Sequence, residues 1–156
     1  RLAFAPVTLK HLCQDVIRDR YSAIAASQQT IELEGGDSVI LGNAFALAAL
    51  LANLIDNASK YTPAGGAIRL AVNQRGDGCE LVVEDSGVGI APQLRERVMD
   101  RFFRINTGSD IKGCGLGLSI VGHVVALHDA QLSITHSSFP TGTCMTVMFP
   151  HTLEAT

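Results

Sequence analysis

The stretch Asn53-Leu54-Ile55-Asp56-Asn57-Ala58-Ser59-Lys60-Tyr61-Thr62-Pro63 decides how this chain is read. Leading into it and within it, Leu47, Leu50, Leu51, Leu54 and Ala58 recur at the three- and four-residue spacing of a buried helical stripe. Asn53, Asn57, Lys60 and Tyr61 stand at i, i+4, i+7 and i+8, so they share a second face. Asparagine is a poor helix former because its amide competes for backbone partners. Two of them one turn apart, followed by a lysine and a tyrosine, suit a polar, negatively charged ligand. A helix face that is merely solvated is the plain alternative.

A chain of 156 residues, 47% apolar and 17% charged, is expected to fold as one domain, residues 1–156, around a sizeable core. That composition excludes a disordered chain. No apolar run approaches the ~18 residues of a membrane span. The net charge of −3 argues against a nucleic-acid face. Lysine occurs only at Lys10, Lys60 and Lys112, and one of the three lies on the polar face above. Cys13, Cys79, Cys114 and Cys144 are far apart and show no C-x-x-C spacing, so reduced thiols in a cytosolic protein are expected, not a metal site or a disulfide framework. The start, Arg1-Leu2-Ala3-Phe4, is not a signal peptide, and the absence of an initiator Met leads us to expect an excised fragment.

Working outward, Leu2 to Val7 reads as a short strand, with Pro6 suggesting an edge. Thr8 is placed to cap a helix over about Leu9 to Ser27, with Leu12, Val16 and Ile24 inward. Thr30 to Leu33 and Val39 to Leu41 are brief strands about a Glu34-Gly35-Gly36-Asp37 turn. Asn43 caps the decisive helix, which Pro63 and Gly65-Gly66 end. Ala67 to Asn73 and Glu80 to Glu84 form a hairpin across Arg75-Gly76-Asp77-Gly78. An irregular region to Lys112 holds one short helix near Gln93 to Met99. Gly117 to Leu127 is helical, and Gln131 to Ser137 with Thr143 to Phe149 makes a last hairpin. Three helices and about five longer strands predict an α+β, two-layer sandwich: one mixed sheet with the helices on one face.

Two further runs carry chemistry. Asp85-Ser86-Gly87-Val88-Gly89-Ile90 follows an apolar strand. A carboxylate there can accept from an exocyclic amine such as adenine's, and glycines allow close backbone approach. Gly113-Cys114-Gly115-Leu116-Gly117-Leu118-Ser119-Ile120-Val121 leads a glycine-rich turn into an apolar helix, an arrangement that offers amide donors to phosphate. It is neither a Rossmann fingerprint nor a Walker A loop. Taken alone, an ordinary turn and a flexible hinge explain these two runs equally well. Between them, Asp100-Arg101-Phe102-Phe103-Arg104 and the polar stretch Asn106 to Lys112 suggest a lid anchored by its aromatics, and Ile105 to Lys112 is expected to be mobile without nucleotide.

In this order and spacing the runs resemble the catalytic ATP-binding domain of bacterial two-component sensor histidine kinases. NLIDNASKYTP is similar to that family's N box, DSGVGI to its first glycine box, DRFFR to its F box and GCGLGLSIV to its second glycine box. Thr141-Gly142-Thr143 is similar to the last glycine box. The resemblance implies the Bergerat sandwich and the cofactors ATP and Mg²⁺. It implies that Asn57 holds the metal with Asn53 beside it, and that Lys60 and Tyr61 face phosphates and ribose. It gives Asp85 the adenine amine, Gly87 and Gly89 the base, and Thr143 a place below it. Gly115, Leu116 and Gly117 would bring backbone donors to the phosphates, and Arg104 would reach the terminal one. Asn53 and Arg104 are the residues it assigns to the transfer step.

The implied partners are a separate dimerisation domain carrying the phosphoacceptor His and, through it, a response regulator. The implied setting is the cytoplasmic part of a homodimer anchored in the bacterial inner membrane, with the isolated domain a monomer. Met99 stands where the F box opens with Phe, Cys114 where a small residue is usual, and His128-Asp129-Ala130 where His-Gly-Gly is common. No H-E-x-x-T-P run occurs, and His11, His123, His128, His136 and His151 are expected to be structural or solvated. Asn53 stands where the gyrase branch has its water-activating Glu, and an amide cannot act as a base. Phosphoryl transfer to a docked side chain is therefore expected over hydrolysis. A serine-directed anti-sigma-type kinase of the same fold and a non-catalytic nucleotide-binding module are the alternatives.

Overall fold

The structure is a computed structural model that describes residues 3–93 and 116–153. Its element order is β1 (Ala5–Thr8), α1 (Leu9–Ala26), β2 (Thr30–Gly35), β3 (Val39–Gly42), α2 (Ala44–Tyr61), β4 (Ala67–Arg75), β5 (Gly78–Asp85), α3 (Leu116–Leu127), β6 (Gln131–His136) and β7 (Thr143–Phe149). The short helix expected beyond Gln93, the F box, the segment Ile105 to Lys112, Cys114 and Gly115 lie outside the described residues.

Five strands make one sheet in the order β2-β4-β5-β7-β6. Among the described residues β2 and β4 alone pair in parallel; the other ladders are antiparallel, so the sheet is mixed as expected. Residues alternate between faces, and Ile68, Leu70, Val72, Leu81, Val83, Met145 and Val147 all point into one core. The helices cover that side, with α2 packed between α1 and α3. In α2 the predicted stripe is buried: Leu47, Leu50, Leu51, Leu54 and Ala58, joined by Ala46 and Ile55. Each large aliphatic side chain so buried stabilises the fold by about 1.5–3 kcal/mol over exposure. Among the described residues, no helix is long and apolar enough to cross a membrane.

The first and third strands stand apart from the five-stranded sheet. They pair with each other as an antiparallel ribbon, Pro6 opposite Leu41 and Thr8 opposite Val39, and Val39 also bridges Leu153. Thr8 occupies the N-cap of α1 with extended backbone, yet its side chain makes no capping hydrogen bond. Asn43 caps α2 as predicted: its Oδ1 accepts from the Ala46 N–H at 2.8 Å, while its Nδ2 donates to the Ala3 carbonyl at 2.8 Å.

His128 has the structural role expected of it. Buried, it stacks on Phe4 and meets Phe149 edge-on. The Asn43 N–H lies 3.1 Å from its Nε2, which must accept, so the proton sits on Nδ1 and is donated to the Val124 carbonyl at 2.8 Å. Asp129 after it has φ 52°, the left-handed turn that Asp tolerates better than most residues. Cys13, Cys79 and Cys144 are free, and burial pushes the first two thiols up to about 12 and about 11.

Among the described residues, Gln28 is the other non-glycine residue with a left-handed backbone, φ 58°, just past the end of α1. Its side chain is exposed. Glycine is favoured at such a position because it has no Cβ to clash. Gln28→Gly should therefore stabilise the fold by about 0.5–1 kcal/mol, seen as a rise of roughly 1–4 °C in the thermal midpoint. A lower midpoint would mean that the Gln28 side chain holds the turn in some other way.

Candidate functional site

The site residues converge where α2 ends, β5 ends and β7 begins. Asp85 closes β5, paired in register with Ile68 of β4. Beside it the β6–β7 loop returns through Gly142 into Thr143. There is no room for side chains between these segments. A Cβ on Gly142, φ 122°, would sit 1.8 Å from the Asp85 carbonyl oxygen. One on Gly87 would sit 2.3 Å from the Tyr61 carbonyl oxygen and 2.9 Å from Asp85 Oδ1. One on Gly89, φ 79°, would lie 3.3 Å from the Gly142 carbonyl oxygen. Sequence reasoning expected Gly87 and Gly89 to admit a ligand. The packing shows that Gly87 and Gly142 must also admit the chain's own backbone.

Asp85 is 7% exposed. Its Oδ1 accepts from the Gly87 N–H at 2.9 Å and the Thr143 N–H at 3.3 Å. Among the described residues no hydrogen bond is made to Oδ2. Burial raises the carboxyl above the usual carboxylate range; the two N–H donors pull it back in part, and the neighbouring Glu84 charge adds to the rise. Glu84 faces the other side of the sheet and accepts from the Ser138 N–H at 2.7 Å and its hydroxyl, tethering the β6–β7 loop. Ser86 completes the frame, exchanging hydrogen bonds with Ala67: its N–H donates to the Ala67 carbonyl and its Oγ accepts from the Ala67 N–H.

On α2, Asn53 and Asn57 are half-buried and Lys60 is exposed. Asn53 Nδ2 donates back to the Ala49 carbonyl at 2.7 Å, and among the described residues no hydrogen bond is made to its oxygen. No hydrogen bond of the Asn57 amide is found among the described residues. Lys60 Nζ lies 5.8 Å from the Tyr61 ring centroid, and Tyr61 is half-buried. Asp56, the one acid of the stretch, is turned away to α1, where Arg20 Nε and Nη2 hold its oxygens at 3.2 and 3.3 Å. The polar face is thus left with neutral amides and a cation. Leu116 and Gly117 open α3, which packs beside α2. Arg104 and Gly115 lie outside the described residues.

The structure therefore brings Asp85, Gly87, Gly89, Thr143 and the Tyr61 end of α2 together, with Asn57 one turn back. Sequence reasoning missed Gln29, whose buried amide reaches this same helix end, and Gly142 as a packing requirement. No local pattern marks Gln29, whereas Gly142 stood in a quoted motif and only its neighbour Thr143 was singled out.

Comparison with known proteins identifies the family. The family model described as histidine kinase-, DNA gyrase B-, and HSP90-like ATPase matches residues 42–153. The chain is 41% identical over 118 residues to the sensor-like histidine kinase SenX3 of Mycobacterium tuberculosis, a match covering 74% of this chain and 28% of that protein. The chain thus spans less than a third of the length of such relatives. Among solved structures, the mycobacterial sensor histidine kinase MprB superposes with a TM-score of 0.80 at 29% identity, over 96% of this chain and 100% of that one. Full-length ShkA, solved in complex with AMPPNP, superposes with a TM-score of 0.83 at 25% identity, over 100% of this chain and 33% of that one. The chain belongs to the histidine kinase-, DNA gyrase B-, and HSP90-like ATPase family, and within it to the catalytic domains of sensor histidine kinases.

Proposed function

We propose that residues 1–156 form one catalytic domain that binds Mg²⁺-ATP and donates the γ-phosphoryl group to a histidine on a separate dimerisation domain, for relay to a response regulator. The parent protein is read as a membrane-anchored homodimer and this domain as its cytoplasmic, monomeric catalytic part. The observation that carries the reading is the Asp85 carboxyl. It is buried, fixed through Oδ1 by two backbone donors, and has Oδ2 left over. Oδ2 is not an enclosed atom, so within an otherwise buried carboxyl it is the oxygen open to a donor from outside. Adenine's exocyclic amine is such a donor, and Thr143 and Gly89 flank the position.

The residues present fit the metal as well. Asn57 offers a neutral amide oxygen, the hard ligand that suits Mg²⁺ when phosphates supply the remaining charge. Bound there, the metal would neutralise phosphate charge during transfer. Lys60 would meet a phosphate as a point charge and Tyr61 the ribose side. Gly115, Leu116 and Gly117 would present backbone donors, and Arg104 would reach the terminal phosphate. Asn53 is assigned beside the metal. With an amide where a base would activate water, this chain can position an acceptor but cannot make a nucleophile of water.

Incubated with γ-labelled ATP and Mg²⁺, the chain alone should neither label itself nor hydrolyse ATP appreciably. Adding a domain that carries the acceptor histidine should transfer label to that domain, and Asn57→Ala should abolish the transfer. A robust ATPase rate from the chain alone, lost in Asn57→Ala, would instead assign it to hydrolysis.

Asp85→Asn should weaken ATP and ADP about tenfold or more, the worth of a hydrogen bond to a charged acceptor, and leave GTP little changed. It should also stabilise the empty domain. A carboxyl raised by burial binds its proton more tightly folded than unfolded. Its contribution is therefore full below the unfolded value near ~4 and is lost as pH rises through the folded one. At pH 7 the charged Asp85 is a net cost, so the variant should melt higher there, with the margin closing towards pH 4. Equal loss of ATP and GTP would make Asp85 a turn residue and nothing more.

A further inference from the structure

The functional end of α2 is not closed by its own sequence. A helix leaves its last four carbonyls without intrahelical partners. Helices commonly close them with a left-handed residue, usually glycine, just past the end. Here the C-cap is Thr62, with extended backbone at φ −104°, followed directly by Pro63. The local chain supplies two closing bonds: the Thr62 hydroxyl donates to the Ala58 carbonyl at 2.7 Å, and the Thr62 N–H to the Ser59 carbonyl at 3.3 Å.

The rest comes from thirty residues away. Gln29, 7% exposed, lies in the turn between α1 and β2. Its Nε2 donates to the Ser59 carbonyl at 2.8 Å and to the Thr62 carbonyl at 2.5 Å. Its Oε1 accepts from the Ser59 hydroxyl at 2.6 Å. One amide thus satisfies three polar groups on either side of Lys60 and Tyr61. The left-handed Gln28 turns the chain so that Gln29 points inward, and the Gln28 carbonyl accepts from the Gly65 N–H at 2.7 Å. Thr30 N–H then donates to the Gly66 carbonyl, so the two turns are zipped together.

We infer that Gln29 is a positioning residue for phosphate and metal binding: its carboxamide clamps the last turn of α2 and so fixes where Asn57, Lys60 and Tyr61 present their polar atoms. The inference rests on the proposed Mg²⁺-ATP reading. Gln29 touches no ligand; it acts through the helix end. Without it, the Ala58, Ser59 and Thr62 carbonyls at the helix end are left, among the described residues, with the two bonds from Thr62, and helix ends so weakly closed fray. Asp85 takes its hydrogen bonds from Gly87 and Thr143 on the sheet side and meets the clamped turn through the packing of the Tyr61 carbonyl against Gly87, so the clamp acts on it less directly than on the polar face of α2.

The test uses the whole chain and three probes: ATP with Mg²⁺, ATP with chelator, and adenosine. Gln29→Met keeps the length and removes the donors and the acceptor. Ser59→Ala removes one of the three bonds from the helix side with a residue that favours helix. The gain in ATP affinity on adding Mg²⁺ should fall about tenfold in Gln29→Met and by less in Ser59→Ala, while adenosine affinity stays within about twofold. If Gln29→Met does not fold, Ser59→Ala decides alone. An unchanged Mg²⁺ gain in folded variants would overturn the inference, as would a proportionate loss for ATP and adenosine, the mark of a merely structural role. Parent protein with no Mg²⁺ gain at all would refute the reading beneath it instead.

Discussion

Three backbone segments meet at the end of β5 at separations that leave no space for a side chain. The Tyr61 carbonyl presses on Gly87, and the Asp85 carbonyl presses on Gly142. That contact ties the main sheet to the end of α2 and fixes a carboxyl in the seam. Because Gly87 and Thr143 both point an N–H at Oδ1, Asp85 can be buried as an acceptor. Burial still raises its proton affinity, so the arrangement carries a standing cost to the empty fold. A group retained at such a cost marks a functional site more than a structural one.

The helix that bears the polar face is held at both ends by distant parts of the chain. At its start, Asn43 bonds Ala3 and Ala46, and its own N–H is received by His128 at the close of α3. At its finish, Gln29 receives the Ser59 hydroxyl and donates to two carbonyls. Between these ends, Leu47, Leu50, Leu51, Leu54 and Ile55 bury the opposite face almost completely. Asn53, Asn57 and Lys60 are thereby presented on a helix with little freedom to rotate or slide. Positioning is the larger part of what such a site can contribute to phosphoryl transfer.

Much of this was legible in the sequence because the signals are local. The α2 stripe follows from spacing, the Asn43 cap from residue type, and the β4–β5 hairpin from its Gly76-Asp77 turn. Asp85 and its glycines form a contiguous run that draws the eye. What escaped depends on residues far apart in sequence. Gln29 is one of two adjacent glutamines with nothing to distinguish it until Ser59 and Thr62 fold against it. The pairing of β1 with β3 was not foreseen, since pairing partners are not encoded within four-residue strands. Thr8 has the residue type and the extended backbone of a cap, but its side chain makes no capping hydrogen bond, which residue type alone does not reveal. Assignment of the site to nucleotide chemistry came from four ordered motifs together, which single-residue physics could not supply.

The claim most exposed to test is that the seam around Asp85 reads adenine. The Gly87 and Thr143 amides both donate to its Oδ1, so their resonances report directly on that carboxyl. In ¹⁵N-labelled protein, adenosine alone should shift both resonances, and guanosine at the same concentration should leave them in place. Resonances that ignore adenosine, or that move equally with guanosine, would contradict the account.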